Sequence, residues 1–477
     1  MAHLQVVLNN GAQTAFDPAA INEFKATLRG DLLTAESSNY DEVRVISNRM
    51  HDKHPALIVR CTGVADVIAA VNFAREHSIL VAVRGGGHNV AGSASCEGGL
   101  MIDLSLMTGV HVDAKTQTAR VQGGATWGDV DRETQVFGLA TAGGVVSTTG
   151  VGGLTLGGGL GYLRRKYGLT IDNLLAVQIV TANGEVVNAS ESENADLFWG
   201  IRGGGGNFGI VTSFEFQLHP VGPIVTLCAP WYPAEDAKEL LPKWRDFMDS
   251  APDEFSCSAG FWTIPPVPDF PAELHGRRIL LFVGVHCGPV EEGLQFIQPL
   301  RELGTPLLDL SGALPWVGIQ QALDPFFPKG QRYYYFKSRN LSNLADETID
   351  ALLPRAINPP SPFVLIVLWH YGGAMRRVAA SKTAFMGRDA AYLFSVDGIW
   401  DDPADSEAVI AYARAFLAEM EAYSPGGLYI NFAGLGEEGE SLVRDAYGSH
   451  YDRLVALKNK YDPGNLFRLN QNIKPSV

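Results

Sequence analysis

Residues 80–89 read LVAVRGGGHN: an apolar run closing at Arg84, three glycines, then a histidine and an asparagine. The apolar run predicts a buried strand. Consecutive glycines leaving a strand free successive N–H groups to form an anion-binding nest, the arrangement that holds a pyrophosphate. The histidine behind it sits either against the ligand of that nest or in the loop as a satisfied side chain. Upstream, ALIVR (56–60) predicts a short strand, and ADVIAAVNFAREH (65–77) a helix with Val67, Ile68 and Val71 on one side and an acidic first turn. Downstream, LMIDLS (100–105) and ARVQGG (119–124) predict further strands, and TWGDVDRETQVFG (126–138) a helix closed by glycine. Short strands and helices thus alternate around the glycine loop.

Two more glycine clusters follow. GGVVSTTGVGGLTLGGGLGYLRRKYG (143–168) is a loop of glycines and small hydroxyl residues running into a helix, and GIRGGGGNFGIVTSFEF (200–216) is a glycine loop entering a strand. Glycine is used where the backbone takes φ > 0 or approaches something closely. Three clusters within so short a stretch point to backbone wrapped around one large flat ligand. Two GxGxxG matches do not carry a dinucleotide fold. Gly204, Gly206 and Gly209 lead into a strand, so the helix that would face a pyrophosphate is missing. Gly434, Gly436 and Gly439 enclose Glu437 and Glu438, which repel phosphate.

VQIVTANGEVVNAS (177–190) predicts a hairpin with a type I′ turn at Asn183-Gly184. After Pro220 the character changes to proline- and aromatic-rich sequence. YYYFKS (333–338), PFVLIVLWHYGG (362–373) and AYLFSVDGIW (391–400) read as long strands of one antiparallel sheet, with helices near 343–354 and 404–422. LYINFAG (428–434) reads as a strand and SLVRDAYGSHYDRLVALKNKYDP as one amphipathic helix.

Composition narrows the function classes. The chain has 477 residues, enough for at least two domains, with 46% hydrophobic and 19% charged residues. A net charge of −15 argues against nucleic acid and anionic membrane as partners. No apolar run is long enough for a membrane span and no signal peptide is evident, so a cytoplasmic enzyme is expected, although a secreted chain trimmed of its signal reads the same. Five scattered cysteines without CxxC or Cys/His spacing predict neither a disulfide framework nor a metal site.

VRGGGHNVAGSASCEGGLMIDLS, STTGVGGLTLGGGLGYLRRKYGLTIDNL, LFWGIRGGGGNFGIVTSFEF and the closing YDPGNLFRLNQNI, taken in order, resemble the berberine-bridge-enzyme-like branch of the vanillyl-alcohol-oxidase flavoprotein family. The resemblance implies an α+β fold: a PCMH-type FAD-binding domain of two α/β subdomains over 1–220, a substrate domain over 221–425 with an antiparallel sheet covered by helices, and a return to the FAD domain over 426–477. It implies FAD joined covalently through its 8α-methyl group to His88. It assigns cofactor contacts to Arg84, Gly85, Gly86, Gly87, Asn89, Val90 and Gly92 in the first loop. In the second it assigns them to Val146, Thr149, Gly150, Gly153, Gly158 and Tyr162, and in the third to Gly209, Ile210 and Val211, with Asn470 near the end. Two departures stand out. Val146 replaces the cysteine that forms a second flavin link in many members, so none is expected, and Asn431-Phe432 replaces an NY pair whose tyrosine is the base. Thr149 occupies the position that gates oxygen in the family; being small, it leaves access open and favours an oxidase.

Substrate-side candidates come from strand parity. Tyr429 and Asn431 share one side of the expected closing strand and are candidates for contact with flavin or substrate. In LIVLWHYGG either His370, as a general base, or the Trp369/Tyr371 pair faces the cavity. Lys337 is a candidate to orient a substrate oxygen or is simply solvated. The expected reaction is hydride transfer from a small, aromatic or apolar natural product (alcohol, amine or activated C–H) to FAD, with O2 as acceptor and peroxide as product. A sugar or oligosaccharide oxidase, an FAD dehydrogenase and a flavin-binding protein with little turnover are the alternatives.

Overall fold

The computed structural model describes residues 4–435 and 439–476. Leu57–Arg60, Leu100–Asp103 and Val81–Arg84 form a parallel core with Asp31–Leu33 added antiparallel at one edge. Their continuous apolar runs suit a sheet covered on both faces. The helix Val64–Glu76 crosses between strands and buries Val67, Ala70, Val71 and Ala74 against Val59, Val81 and Ile102. Half of Val81–Arg84 is thereby fixed from behind, and the glycine loop leaves its open end.

A second, five-stranded antiparallel sheet runs in the order Val186–Ser190, Leu174–Val180, Ile210–Gln217, Thr118–Gln122, Val110–Asp113. The expected hairpin is present, but its connection is Thr181–Glu185, and only Gly184 has positive φ (+77°). A type I′ turn needs positive φ at both central residues. Gly184 N–H instead closes a turn on the Thr181 carbonyl (2.9 Å), and Thr181 N–H bonds the Glu185 carbonyl.

After Pro220 the chain builds a nine-stranded antiparallel sheet. Its main path is Leu308–Asp309, Pro230–Pro233, Arg278–His286, Phe255–Thr263, Leu365–His370, Tyr392–Trp400 and Tyr333–Leu341. The helices Ala237–Asp249, Asp346–Ile357 and Ser406–Met420 cover one face, with Trp244, Leu352 and Phe416 buried against Phe282, Ile366 and Phe394. The opposite face looks back at the glycine loops.

The C-terminal segment returns to the second sheet, where Val443, Leu454 and Leu457 pack with Phe198, Phe208 and Phe214. Two expectations change here. The single closing helix is two, Glu440–Tyr447 and Tyr451–Tyr461, broken at Gly448, which adopts φ +46°. LYINFAG is not a strand: Ile430–Phe432 is a single 3-10 turn, because Tyr429, Asn431 and Phe432 are each held by different neighbours. Gly436, Glu437 and Glu438 of the second GxGxxG match lie outside the described residues. All five cysteines are unpaired and buried. No helix among the described residues is long and apolar enough to cross a membrane.

Candidate active site

A cavity of about 560 Å³ lies between the three glycine loops and the open face of the nine-stranded sheet. The loops meet backbone to backbone. A Cβ on Gly86 would lie 2.4 Å from the Gly150 nitrogen, and one on Gly150 would lie 2.3 Å from the Gly86 nitrogen. No side chain fits between them, so glycine is obligatory at both. Gly153 and Gly206, by contrast, line the cavity and have no atom within 4 Å of an added Cβ. Their backbone faces open space, as it does where a flat ring or a phosphate chain passes.

Of the first loop, Gly85, Gly86, Gly87, His88, Asn89 and Val90 line the cavity. Arg84 does not. Its guanidinium turns away to grip Asp103 at 2.9 and 2.5 Å and also donates to the Val43 carbonyl, so it locks the strand end rather than facing a cofactor. Gly92 is also outside, because the His51 ring fills the space beside it and a Cβ would come within 2.3 Å of that ring. Asn48, which belongs to no motif, staples this loop to the substrate sheet. Its amide donates to the Val90 carbonyl (2.7 Å) and the Tyr334 carbonyl (2.8 Å), and its oxygen accepts from Tyr334 N–H (3.0 Å). His88 looks into the cavity but is enclosed by protein, and burial pushes its pKa down to about 4 against the opposing charge of Asp324. Its imidazole is therefore neutral at physiological pH, with a ring nitrogen free to act as a nucleophile.

Val146, Thr149, Gly150, Gly153 and Tyr162 line the cavity from the second loop, and Gly209, Ile210, Val211 and Asn470 from the third loop and the chain end. Gly158 does not: at φ +127° it lies under the rings of Phe385 and Tyr429. The end of the chain is tied to the third loop by a buried charge. Lys458 Nζ donates to Asp462 (2.7 Å), the Asn207 carbonyl (2.9 Å) and the Phe467 carbonyl (3.0 Å), while Asn470 donates to the Gly206 carbonyl (3.2 Å).

On the substrate side, Tyr429 and Asn431 both reach the cavity. Asn431 Nδ2 donates to the Tyr429 hydroxyl (2.8 Å) and the Leu154 carbonyl (3.1 Å), and Gly159 N–H donates to the same hydroxyl (3.1 Å). Burial raises the Tyr429 pKa to about 12, so its hydroxyl stays protonated while it accepts these two hydrogen bonds. Phe432 also lines the cavity, in edge contact with Phe336 and Tyr429.

His370 and Lys337 are corrected. On Leu365–His370 it is Leu365, Val367 and Trp369 that face the cavity. His370 points under the helices, between Trp244 and Tyr392, with its Nδ1 3.1 Å from Arg165. Burial, with Arg165 next, lowers its pKa to about 3, too low for a base at neutral pH. On Tyr333–Leu341 the cavity face belongs to Phe336, and Lys337 projects to the other face beside Arg339, Arg414 and Leu417.

A cavity residue that the sequence reading missed is Asp397. It lies opposite Phe336 and Leu365 in register, on the cavity face of Tyr392–Trp400, only 4% exposed. Its Oδ1 has no hydrogen-bond partner, and burial raises its pKa to about 7, with Ser395 pulling the other way. It is the only carboxylate among the described cavity-lining residues. A lone acid in a strand otherwise made of apolar and small residues was the available signal.

Two family models match the chain: "FAD binding domain" over residues 55–190 and "Berberine and berberine like" over 428–474. An FAD-linked oxidoreductase of Dictyostelium discoideum is 32% identical over 95% of this chain and 97% of its own length. The chain belongs to the berberine-bridge-enzyme-like FAD-linked oxidoreductases. The (R)-6-hydroxynicotine oxidase of Paenarthrobacter nicotinovorans is 31% identical over 94% of this oxidoreductase and 97% of its own length. The glucooligosaccharide oxidase of Acremonium strictum superposes with a TM-score of 0.84 at 26% identity, covering 96% of this oxidoreductase and 98% of its own chain. The glycine cradle fits the cofactor of this family: bare backbone at Gly153 and Gly206, a neutral His88 and the Gly86–Gly150 contact surround one continuous space. The residues of this FAD-linked oxidoreductase that would hold FAD are the cavity-lining ones of the three loops, with Tyr162 and Asn470.

Proposed function

We propose that this enzyme is an oxidase of a small aromatic or otherwise apolar alcohol or amine, with Asp397 as the base and His88 as the single covalent anchor of FAD. The observation that carries the reading is the isolation of Asp397 on an apolar wall, beside Phe336 and Leu365, facing the glycine cradle. Bound FAD supplies hydride acceptance and reoxidation by O2. Asp397 takes the proton from the substrate O–H or N–H as the adjacent C–H leaves as hydride, so that the substrate loses two electrons and two protons and O2 gains them as H2O2. Tyr429, whose hydroxyl accepts from Asn431 and from Gly159 N–H, holds that side of the same space in place. Phe432, in edge contact with Phe336 beside Asp397, excludes water from the reacting end.

A wide sugar-binding groove would need many polar groups to replace water at the hydroxyls. The Phe336, Val367, Trp369 and Phe432 wall offers few, which favours an apolar substrate over an oligosaccharide. The glucooligosaccharide oxidase carries a 6-S-cysteinyl, 8α-N1-histidyl FAD. Here no cysteine is among the described lining residues, which supports a histidyl link alone.

The test is an acid-precipitated, denatured sample viewed under ultraviolet light, paired with a peroxide assay on panels of aryl alcohols, cyclic amines and oligosaccharides. Flavin fluorescence that stays with the wild-type band and leaves it in His88→Ala, with peroxide from the apolar panel, is the expected result. Free flavin from the wild type removes the covalent link, and peroxide from sugars alone overturns the substrate class.

A further inference from the structure

The open face of the nine-stranded sheet extends well beyond Asp397. Antiparallel register places one residue per strand across its floor. Phe336 pairs with Asp397, Asp397 with Leu365, and continuing the same register sets Leu365 beside Trp262, which pairs with Ile279. Trp262 is therefore two strands from Asp397, about 10 Å at about 4.8 Å per strand. The next row runs Ser395, Val367, Gly260, Leu281, Trp231.

Gly260 is unusual in that row. Glycine in a strand interior weakens the strand and marks a bulge, a tight bend or close approach of a ligand. Here there is no bulge, its φ is not positive, and an added Cβ would make only ordinary contact, 3.4 Å from Leu281. Neither backbone conformation nor packing demands glycine. What its missing side chain does is leave a trough in the cavity floor between Val367 and Leu281. Past that trough the cavity ends in an aromatic box. Trp262 meets Phe326 edge-on at 5.0 Å and Trp231 at 5.7 Å, and Phe270 packs 5.0 Å from Trp231. All four line the cavity. Trp262, Phe270 and Phe326 are half-buried, with aromatic surface still unoccupied.

The geometry points to an elongated substrate: an oxidisable head whose O–H or N–H meets Asp397, and an apolar alkyl or aryl tail that passes between Leu365 and Gly260 and reaches the box of Trp231, Trp262, Phe270 and Phe326, whose near edge at Trp262 is about 10 Å away. This rests on the reading of the cavity as the substrate site. Gly260 is then a specificity residue. It sets substrate length without taking part in proton or hydride transfer.

The experiment uses 4-alkoxybenzyl alcohols from methoxy to octyloxy, titrated calorimetrically into the dithionite-reduced holoenzyme, which cannot turn over, with flavin reduction by the same alcohols followed separately. In the wild type, affinity rises about threefold or more per methylene until the box is filled, then levels off. In Gly260→Val that dependence on length collapses, and in Gly260→Ala it is partly kept, thermal melting reporting that both variants fold. Should Gly260→Val not fold, Trp262→Ala replaces it, and there the plateau comes at a shorter chain. A wild-type affinity indifferent to tail length, parallel length series in wild type and Gly260→Val, or no binding of any alcohol overturns the inference. Length-dependent binding without flavin reduction by any alcohol keeps the tail site and overturns the reading of the head as an alcohol oxidised at this flavin.

Discussion

A carboxyl group with one oxygen unpartnered inside an apolar wall is held there at a cost, and Asp397 expresses that cost as a pKa near 7. The rate of a reaction that needs its anion rises as pH passes through that value. In Asp397→Asn, kcat/KM falls by about 10²–10⁴-fold and the rising limb near pH 7 disappears, while the covalent flavin is retained. Stability carries the same group with the opposite slope. The folded carboxyl holds its proton more tightly than the usual 3.8, so the fold loses stability as pH rises from 3.8 to about 7. Asn removes that loss: melts at pH 8 show the variant stabilised relative to wild type, and melts at pH 4 do not. Equal shifts at both pH values would mean that Asp397 is already ionised or solvated in the fold.

At the level of strands, the period-two pattern told which residues share a face but not which face meets the cavity. The reason is physical. One face of the nine-stranded sheet lies under helices and the other against the glycine loops, so Tyr392–Trp400 is buried at every position and shows no exposed side. His370 and Lys337 were therefore legible only as candidates, and both fall on the helix side. His370→Gln is expected to leave kcat within about twofold and the pH profile unmoved, since the imidazole touches Arg165 and Trp244 and not the cavity. A displaced pH profile in that variant would place His370 in the proton path. The glycine loops were readable because a nest and a close backbone approach leave glycine as the only choice at several positions. The 3-10 turn at Ile430–Phe432 was not, because hydrogen bonds from the distant Leu154 and Gly159 segments hold it.

Over the molecule as a whole, the cavity exists only where three separate parts of the chain converge. Asn48 fastens the histidine loop to the substrate sheet, Ser147 reaches Asp324 with both its N–H (2.8 Å) and its hydroxyl (2.5 Å), and Lys458 clamps the returning C-terminus onto the third loop. These fastenings were not legible in the sequence, since each joins residues far apart in it. Lys458 is fully buried, and Lys458→Met would leave the buried Asp462 carboxylate without its counter-charge, held only by the N–H groups of Leu466 and Phe467. The expected loss is about 3–5 kcal/mol of stability in denaturant melts, with FAD content falling alongside. Full FAD content and an unchanged melt would show that the clamp is dispensable.

The contact between Gly86 and Gly150 leaves no space even for a methyl group, and each residue comes from a different glycine loop. Its consequence lies in descent. A lineage carrying this fold can rewrite the floor from Trp231 to Phe336 one substitution at a time, changing what it oxidises, because those side chains project into open space. It cannot drift at Gly86 or Gly150 by single steps, since either change forces two loops apart at once. Single substitutions are therefore tolerated more readily on the sheet than at these two glycines.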